Sequence, residues 1–566
     1  MSLMMENKYN SILIKGVSLP KILIIFLVTF FLVLKGGILP GFEVESAKAS
    51  QSFEAITSPE DFDKIRENPW GNFVLLNDID MAGVDFEPMG YPPDEYRDHD
   101  NFNGSLDGNG YKIKNLTIES SQYDYQGFFA ALGRHAVISD LTLENVTIEG
   151  DSFVGGLVGT NKGTIENIRV DGEVTGYGYG IGIVAGVNKG KISDSSSLGS
   201  VSGNSRVVGG LVGSNPGEIE YSSSEARVYG SDKFVGGLTG RNKGRIYDSY
   251  AKGDVEGKER YVGGLTGENS AYIYGSHAQG RVLGAAKGGI AGGLAGENTG
   301  RIERSYACGT VRGNYYIGGL VGVNEENGTV LRSRSFGWVN GYEDGIRHEG
   351  SLTGGLVAKN LGRIDKGFGY GNVRGEGKIG GLVGVNHNHI VNSYSNNTKI
   401  NGVDGNESAG GLAGRNKGEI STSYAVSEVS GQNEVGGFVG YNIGVIDTSY
   451  AASALSGGDY TGTFAGRNRS GGDEGQEGLE EKRGEINNSI ALQAEELDFA
   501  SNYQYDLGEE TMCREVFFSD LKKRKTFTDL ETWDFDDKWK IREGETFPYL
   551  RGVSHSIPQK TDLIHR

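Results

Sequence analysis

A column of aromatic side chains recurs at the period of a sequence repeat and could bind a partner. Its members are Tyr250, His277, Tyr306, Tyr394, Tyr424 and Tyr450, with Phe368 in a similar place. Aromatic faces that point outward stack on sugar rings and on protein partners. Packing between neighbouring turns of the chain would explain the same column without a partner. Cross-turn packing is the interpretation that we favour, and a partner-binding strip made of these residues is the candidate site.

An asparagine also recurs, always six residues after a glycine of the same repeated phrase. The twelve positions are Asn161, Asn188, Asn215, Asn242, Asn269, Asn298, Asn324, Asn360, Asn386, Asn416, Asn442 and Asn468. Stacked amides can hydrogen-bond to one another and to turn backbone, and a buried amide left unpaired costs about 1–3 kcal/mol. Repeated asparagine is typical of ladders in stacked strands. We predict a structural ladder rather than a row of ligands.

A serine column accompanies the asparagines. Its members are Ser195, Ser222, Ser249, Ser276, Ser305, Ser333, Ser393, Ser423, Ser449 and Ser489. A nucleophilic serine needs a base and a group that orients the base. No histidine and acid recur beside this column. The pattern therefore predicts a small residue at a tight bend and gives no support to nucleophilic catalysis.

Zinc chemistry finds little support among the eight histidines of the chain. The His-Glu-x-x-His pattern of zinc peptidases is absent from the sequence. His387 and His389 are the only close pair, and no third ligand follows at a typical spacing. We interpret this pair as part of a turn.

Calcium remains an option because several acidic residues offer hard oxygen donors. These are Asp78 and Asp80, Asp98 and Asp100, and the loop 473–481. None of them completes a known calcium-binding loop. We predict no cofactor, with solvated acidic loops as the interpretation of these clusters and calcium as the exception to test.

The elements that position these columns follow from the repeat. The phrase occurs twelve times, from residues 155–161 to 462–468, with starts 26 to 36 residues apart. Each unit holds three short stretches separated by glycine, and apolar residues do not recur at helical spacing. The pattern predicts an all-β fold, a right-handed parallel β-helix of about 12 or more three-strand rungs with terminal caps. Twelve rungs would span about 58 Å.

Leucine and glycine have distinct predicted roles within each rung. The leucines at Leu157, Leu211, Leu238, Leu265, Leu294, Leu320, Leu356, Leu382 and Leu412 should line the interior. Glycine makes up 93 of 566 residues. We expect it to form corners with positive φ and to allow close approach of neighbouring rungs.

These motifs resemble the GLUG-motif repeat family. The resemblance rests on the Gly-Gly-Leu-x-Gly-x-Asn phrase, the Ile-x-x-Ser strand after it and the closing Val-x-Gly. It extends to the segments 77–83 and 102–110 before the repeats and to 533–550 after them, and thus spans about residues 70–551. The resemblance implies a secreted or surface β-solenoid of bacterial, adhesin-like type. Such repeats also precede the catalytic part of immunoglobulin-A-cleaving zinc peptidases.

The sequence pattern at the N-terminus predicts that the protein is exported. Residues 22–34 form an apolar run after three lysines, and Ala47 and Ala49 have the small-x-small form of a signal-peptidase site. Residues 1–49 are therefore a signal peptide or, alternatively, an uncleaved N-terminal anchor. We expect a secreted or cell-surface protein that contacts a membrane only through this segment, if it is uncleaved.

The net charge of −19 argues against nucleic acid as a partner, because nucleic acid binds basic surfaces. Removal of residues 1–49 takes away five lysines and three acids, which leaves 50 basic and 71 acidic residues and a charge of −21. Such acidity suits a soluble exported rod that does not self-associate. We expect an extracellular glycan or surface protein as the partner.

Three further segments complete the predicted organisation. Residues 50–150 should form the N-terminal cap and first rungs, with a short helix from Ser58 to about Asn68. Residues 151–495 hold the repeats. Residues 496–566 should form a C-terminal cap and tail, with a helix at 515–525 and bulky residues of 533–550 closing the core. Two segments that break the period, 341–350 and 469–483, are candidate partner contacts.

Three functions compete on this evidence. The first is a non-catalytic, adhesin-like binding or scaffold protein, and it is our prediction. The second is a carbohydrate-active β-helix enzyme, which would need clustered carboxylates on one face. The third is a peptidase-related spacer that lacks its catalytic domain.

Overall fold

The computed structural model describes residues 52–90, 101–284, 288–342, 348, 350–403, 405–468, 470–471, 482–491, 539–540 and 549–550. The chain divides into two units, Met1–Ser52 and Phe53–Arg566, and the fold described here is that of the second. The predicted signal peptide or anchor, residues 1–49, lies outside the described residues. Within the described residues, no helix is long and apolar enough to cross a membrane.

Three parallel sheets build a solenoid of about 13 turns, which confirms the predicted all-β, parallel solenoid. Sheet 1 has twelve short strands that end in the first glycine of the phrase. They are Val154–Gly155, Ile181–Gly182, Val207–Gly209, Phe234–Gly236, Tyr261–Gly263, Ile290–Gly292, Tyr316–Gly318, Leu352–Gly354, Lys378–Gly380, Ser408–Gly410, Glu434–Gly436 and Tyr460–Gly462.

Sheet 2 has thirteen strands, and all but the first end in the repeated asparagine. They are Phe129–Leu132, Val158–Asn161, Ala185–Asn188, Val212–Asn215, Thr239–Asn242, Thr266–Asn269, Ala295–Asn298, Val321–Asn324, Val357–Asn360, Val383–Asn386, Ala413–Asn416, Val439–Asn442 and Ala465–Asn468. The leucine column lies between sheets 1 and 2, and all nine predicted leucines are fully buried.

Sheet 3 has 37 strands and carries up to three short strands per turn. They are Glu54–Ile56, Asn72–Leu75, Ile79–Asp80, Ser105–Asp107, Lys112–Lys114, Thr117–Glu119, Val137–Gly150, Thr164–Gly176, Lys191–Ser193, Ser196–Gly203, Glu218–Glu220, Ser223–Ser224, Arg227–Gly230, Arg245–Tyr247, Tyr250–Ala251, Val255–Gly257, Tyr272–Tyr274, His277–Ala278, Val282–Leu283, Arg301–Glu303, Tyr306–Ala307, Val311–Arg312, Thr329–Leu331, Arg334–Ser335, Val339–Gly341, Arg363–Asp365, Phe368–Gly375, His389–Val391, Tyr394–Gly402, Glu419–Ser421, Tyr424–Ala425, Glu428–Gly431, Val445–Asp447, Tyr450–Ala451, Ala454–Gly457, Glu485–Asn487 and Ile490–Ala491.

One corner of each turn lies just before the serine column and adopts positive φ. The prediction that glycine forms such corners is wrong at this one, because the residue is usually not glycine: Asp248 has φ 43° and Thr422 has φ 49°. Gly275 is the glycine of this column. Contacts with the turns above and below hold the other residues in this unfavourable conformation.

The paired glycines of the repeated phrase serve close approach between turns. A Cβ atom on Gly237 would lie 2.1 Å from the carbonyl oxygen of Gly264 in the next turn. A side chain at that position would force the stacked strands apart. The second predicted role of glycine therefore holds in this column.

The N-terminal helix forms where the sequence predicts it, between Ser58 and Asn68, and its first turn is a 3-10 turn. A 3-10 turn spans Pro59–Phe62 and an α-helix spans Asp63–Glu67. Asp61 Oδ2 accepts the backbone N–H of Ser58 at 3.1 Å, which closes the start of the helix. Phe62 is buried, and its ring centroid lies 5.0 Å from that of Phe128. The helix thereby covers the first turns of the core.

The predicted C-terminal cap falls mostly outside the described residues. The helix predicted at 515–525 is among the residues not described. Of the segment 533–550, Trp539–Lys540 and Tyr549–Leu550 are described, and they pair as two antiparallel strands.

Candidate partner-binding surface

The twelve asparagines form one row of hydrogen-bonded amides inside the solenoid. In each of the eleven links, Nδ2 donates to Oδ1 of the asparagine one turn later at 2.7–3.0 Å. Eleven of these residues are fully buried, and Asn468 at the end of the row is exposed. An amide that hydrogen-bonds to the asparagines of both neighbouring turns uses its donors and its acceptor within the solenoid.

The serine column is occupied by contacts that hold the corner. Ser249 Oγ donates to the carbonyl of Tyr247 at 2.6 Å and accepts the backbone N–H of Ser222 at 3.1 Å. The same pair of contacts recurs along the column, for example at Ser423. Each hydroxyl therefore links one turn to the next, in the manner of a structural residue.

The aromatic strip lies on one outward column of sheet 3, and its rings stack on each other. The centroid of His277 lies 5.1 Å from Tyr250 and 4.6 Å from Tyr306, with nearly parallel planes. A second stack begins at Phe368 and continues through three more turns. Its centroid distances are 4.2 Å for Phe368–Tyr394, 4.7 Å for Tyr394–Tyr424 and 5.0 Å for Tyr424–Tyr450.

One turn separates the two stacks. Its residue in the column is Arg334, which pairs with Tyr306 and Phe368 in the turns on either side. Phe336 joins the stacks, because its ring lies edge-on to Tyr306 at 6.2 Å and to Phe368 at 5.8 Å. We did not predict Phe336, which stands two residues after the column. That spacing keeps a strand residue on the same face, and this signal could have identified it.

The strip presents ring edges more than ring faces to the solvent. Five of the six predicted residues are half-buried, whereas Tyr450 is fully buried. The outer face of the first ring is also covered, because Lys252 Nζ lies 4.8 Å from the centroid of Tyr250. Burial, with the charge of Lys252, lowers the pKa of His277, so the imidazole is neutral at pH 7. A partner would therefore meet edges, hydroxyls and one neutral imidazole.

A groove of about 740 Å³ crosses the turns that precede the strip and reaches the turn of Tyr250, the first strip residue, at Gly253 and Asp254. Glycine forms its floor at Gly172, Gly199 and Gly253, where side chains would collide with the neighbouring turn. Its walls include Glu225 and Asp254. Lys252 lies 3.0 Å from Glu225, so one wall is neutralised by a strip neighbour. The groove gives an extended partner room next to the N-terminal end of the strip.

A second aromatic cluster was not predicted, because its members come from different positions of the repeat. Tyr221 is 60% exposed at a corner. In the next turns, the rings of Tyr247 and Tyr272 meet edge to face at 5.8 Å, and Tyr274 lies 6.1 Å from Tyr272. Arg304 Nη1 donates to the Tyr274 hydroxyl at 3.0 Å. Four tyrosines thus share one corner of the surface.

The two close histidines have different surroundings. His389 Nδ1 lies 3.2 Å from Glu419. His387 instead lines a pocket with several basic side chains. Over the part of the chain that the structure describes, no group of three or more His, Cys, Asp or Glu is placed to hold a metal ion.

The two described calcium candidates are engaged in other contacts. Asp78 Oδ2 lies 2.8 Å from Lys114 Nζ, and this ion pair holds the pKa of Asp78 below its ordinary value. Asp80 Oδ1 accepts the Asn115 amide at 2.8 Å. The other candidates, Asp98, Asp100 and the loop 473–481, lie outside the described residues. Calcium binding stays a prediction.

The two segments that break the period are only partly described. Residues 343–347 and 349 of the first lie outside the described residues. In the second, Ser470–Gly471 pairs with Lys482–Arg483 as antiparallel strands, unlike the parallel stack of the solenoid. A role of either segment in partner contact stays a prediction.

Fold and surface together define a repeat β-solenoid whose asparagine and leucine columns are internal and whose aromatic column lies at the surface. Residues 46–172 match the family model described as the M26 IgA1-specific metallo-endopeptidase N-terminal region. This match confirms the predicted resemblance to the region upstream of the catalytic part of such peptidases. It covers under a quarter of the chain and concerns the N-terminal region of those enzymes.

Two curated proteins are similar over short segments. Halomucin of Haloquadratum walsbyi is 35% identical over 113 residues, 18% of this chain and 1% of the relative. A protein of Evansella cellulosilytica, described as a proposed Gly-rich membrane protein, is 34% identical over 110 residues, 18% of this chain and 12% of the relative. The chain thus matches only a small part of either relative.

Two solved structures are similar at low identity. A proposed immunoglobulin A1 protease from Bacteroides ovatus is 19% identical, with a TM-score of 0.33 over 56% of this chain and 84% of the other. An IgA1 protease is 17% identical, with a TM-score of 0.25 over 65% of this chain and 21% of the other.

Proposed function

We propose that this protein is a non-catalytic, extracellular β-solenoid that binds a surface glycan or a surface protein along its aromatic strip. The observation that carries the proposal is the column of half-exposed aromatic side chains from Tyr250 to Tyr424, with a glycine-floored groove at its N-terminal end. Aromatic edges and hydroxyls next to a groove suit an extended partner. The relation of residues 46–172 to a peptidase N-terminal region, rather than to a catalytic part, supports the non-catalytic role and an extracellular location.

The test is binding of the full chain to an array of glycans and matrix proteins, with and without calcium. The double variant Tyr250→Ser and Tyr424→Ser should weaken binding by about tenfold, because each serine removes an aromatic contact. Tyr450 is unsuitable for this purpose, since it is fully buried.

The matched control is Tyr123→Ser, which removes a tyrosine that is 68% exposed and lies outside the strip. Thermal unfolding of each variant checks that the solenoid remains folded. Binding by the double variant equal to that of the parent and the control would refute the strip as the binding surface.

One observation favours the enzymatic alternative. Glu268 and Glu297 are direct partners on adjacent strands of sheet 2. Adjacent strands lie about 4.8 Å apart, so the two side chains are neighbours on one face of the sheet. Glycosidases use such a pair of nearby carboxylates. Burial, followed by the charges of Glu268 and Glu325, raises the pKa of Glu297 to about 7, as a general acid requires.

The enzymatic alternative predicts release of reducing sugar from a polysaccharide by the parent protein and not by Glu297→Gln. Our proposal predicts no release from pectin or other uronate polymers by either protein. Release that the variant abolishes would replace the non-catalytic function with a carbohydrate-active one.

The match to a peptidase N-terminal region favours the third function, a spacer related to IgA1 proteases. A protein that acts only as a spacer would be stably folded, with a high unfolding temperature, and would show no saturable binding on the array. Saturable binding that depends on the strip distinguishes our proposal from this alternative.

A further inference from the structure

A basic pocket lies on the surface of this acidic protein, on the opposite half of the chain from the glycine-floored groove. The cavity measures about 280 Å³. Its lining includes five basic side chains, from Lys359, Lys378, His387, Arg415 and Lys417. Such a concentration of positive charge is unexpected in a chain with a net charge of −19. A cleft lined by charge of one sign raises the local concentration of counter-ions, which here are anions.

The register of sheet 2 explains how these side chains meet. Lys359 pairs with Val385 in the next turn, and Val385 pairs with Arg415 in the turn after it. His387 and Lys417 each follow the asparagine of their own turn. The two columns therefore place cations on both sides of Val385, within three successive turns.

Among the described residues, two of the cations have aromatic rather than carboxylate neighbours. Lys378 forms an ion pair with Glu407. Across the described part of the chain, no carboxylate lies within ion-pair distance of Lys359 or Arg415. Their recorded contacts are with aromatic rings: Lys359 Nζ lies 5.8 Å from the centroid of Tyr316, and Arg415 lies 4.8 Å from that of Tyr441.

Two further observations support an anionic ligand. Arg415 Nε is buried without a hydrogen-bond partner among the described residues, and a buried guanidinium nitrogen in this state is costly. Partial burial, and then the charges of Lys417, Lys359 and Arg415, lower the pKa of His387 to about 4. The electrostatic potential of the pocket thus disfavours protonation of His387 and favours a bound negative charge.

The rest of the lining is apolar. Tyr316, Leu352 and Val385 form this wall, and they pack together as a small cluster with Ala358. A ligand that fits must combine an oxyanion with a compact, partly apolar body. Sugar rings that carry a charged group have this character, since their C–H faces pack on aromatic and aliphatic side chains.

We infer that this pocket binds the carboxylate or sulfate group of an acidic sugar, with Lys359 and Arg415 as the charged contacts and the wall of Leu352 and Val385 against the sugar ring. Guanidinium and ammonium groups bind such oxyanions through charge-assisted hydrogen bonds. The sugar part of this inference rests on the proposed binding of surface glycans. The anion part rests on the pocket alone.

The experiment is calorimetric titration of the full chain with four probes: inorganic sulfate, glucuronate, glucose 6-sulfate and neutral glucose. We expect saturable binding of sulfate and tighter binding of the two acidic sugars, with no binding of glucose. Glucuronate and glucose 6-sulfate distinguish carboxylate from sulfate as the preferred group. Added NaCl should weaken binding of all three anions.

Lys359→Gln and Arg415→Gln should each weaken binding by about tenfold, because each removes a charged contact. The matched control is Lys243→Gln, which removes an exposed lysine that follows the asparagine of an earlier turn, outside the pocket. An equal loss of affinity in the control would refute the pocket as the binding site, since it would show that the whole surface attracts anions. Absence of saturable binding to every anion would overturn it as well.

The outcomes separate this inference from the proposed function. Sulfate binding without binding of either acidic sugar refutes the sugar as the ligand, whether or not the strip binds its partner. Array binding that survives in Lys359→Gln and Arg415→Gln but not in the strip variants leaves the proposed function standing and overturns the pocket as its sugar site.

Discussion

Each asparagine of the internal row shows how one residue can fix the register of a turn. A primary amide has two N–H donors and a carbonyl acceptor, and all need partners once they are buried. The amide one turn away provides a partner on each side, and nearby carbonyls accept the remaining donor, as Gly300 does for Asn298. A slip of one residue would break both contacts at once. The row therefore aligns the turns as well as stabilising them.

Removal of one amide from the middle of the row should destabilise the fold. Asn298→Ala leaves Asn269 without its acceptor and Asn324 without its donor. We expect a loss of about 2–4 kcal/mol in the free energy of unfolding, since each buried group loses a partner. Chemical denaturation measures it.

Asn468→Ala is the control for this change, because Asn468 occupies the same position of the phrase but is exposed at the end of the row. The free energy of unfolding should fall much less in Asn468→Ala than in Asn298→Ala. A similar loss at both positions would contradict the burial argument.

Residue identities within the columns could be predicted from the sequence, whereas backbone conformation at the corner could not. A column is visible because Asn, Ser or Leu recurs at a fixed position. The corner before the serine column carries Asp248, Thr422, Gly275 and other unlike residues, yet it keeps positive φ. Conformation there is imposed by stacking between turns, and stacking leaves no local mark in the sequence.

At the scale of the strand, parallel stacking brings identical positions of successive turns face to face. Opposite charges at such positions stabilise the sheet, and like charges destabilise it. In sheet 2, Arg241 and Glu268 are neighbours, with Arg241 Nη2 donating to Glu268 Oε1 at 3.0 Å. The next residue of the column is Glu297, a second carboxylate beside the first.

Glu297 should make stability depend on pH. Its pKa of about 7 exceeds the ordinary value of 4.5 because of burial and of Glu268 and Glu325, which outweigh Tyr261 and Arg241. A raised pKa in the folded state contributes stability below pH 4.5, and this contribution is lost as pH rises towards 7. Glu297→Gln should therefore unfold at a higher temperature than the parent above pH 7 and at a similar temperature at pH 4.5.

Thermal unfolding across this range tests the effect. Glu256→Gln provides the control, because Glu256 is an exposed glutamate of sheet 3. If the difference in unfolding temperature between the parent and Glu297→Gln stays constant with pH, the raised pKa of Glu297 is refuted.

The sequence predicted the aromatic strip as a column but not how its members are covered. Stacking distances of 4.2–5.1 Å within the two stacks follow from the spacing of parallel strands. The burial of Tyr450 and the bridge made by Phe336 depend on neighbouring columns. Those columns vary from turn to turn, so the repeat itself does not reveal them.

At the scale of the molecule, stability comes from contacts between neighbouring turns. No single turn encloses a core of its own, because three short strands bury their apolar side chains only against the turns above and below. A defect in one turn should therefore weaken its neighbours. Hydrogen exchange can detect such a local opening.

Leu320→Asp should disrupt the middle of the solenoid. Leu320 is fully buried, so the substitution removes apolar contacts and places a carboxylate in the core. We expect a loss of at least about 4 kcal/mol and faster amide exchange in the adjoining turns. Leu76→Asp, at a leucine that is 48% exposed, should change little. Unchanged thermal unfolding of Leu320→Asp would refute the stacked core.

The architecture could be predicted because the repeat signal accumulates over twelve copies. The basic pocket could not, since Lys359, His387 and Arg415 occupy two different columns and appear in only a few turns. In the sequence each is one more charged residue between glycines. Their proximity follows from the register of sheet 2, which only the stacked structure gives.

The asparagine row also has a direction, and this gives the solenoid an electrical polarity. Every Nδ2 points towards the C-terminal end and every Oδ1 towards the N-terminal end. The amide dipoles therefore add along the axis, as peptide dipoles do in a helix, and neighbouring bonds polarise one another. Partial positive charge accumulates at Asn468, where Gly484 supplies a carbonyl acceptor at 3.1 Å. The negative end at Asn161 accepts the N–H of Gly163 at 2.9 Å.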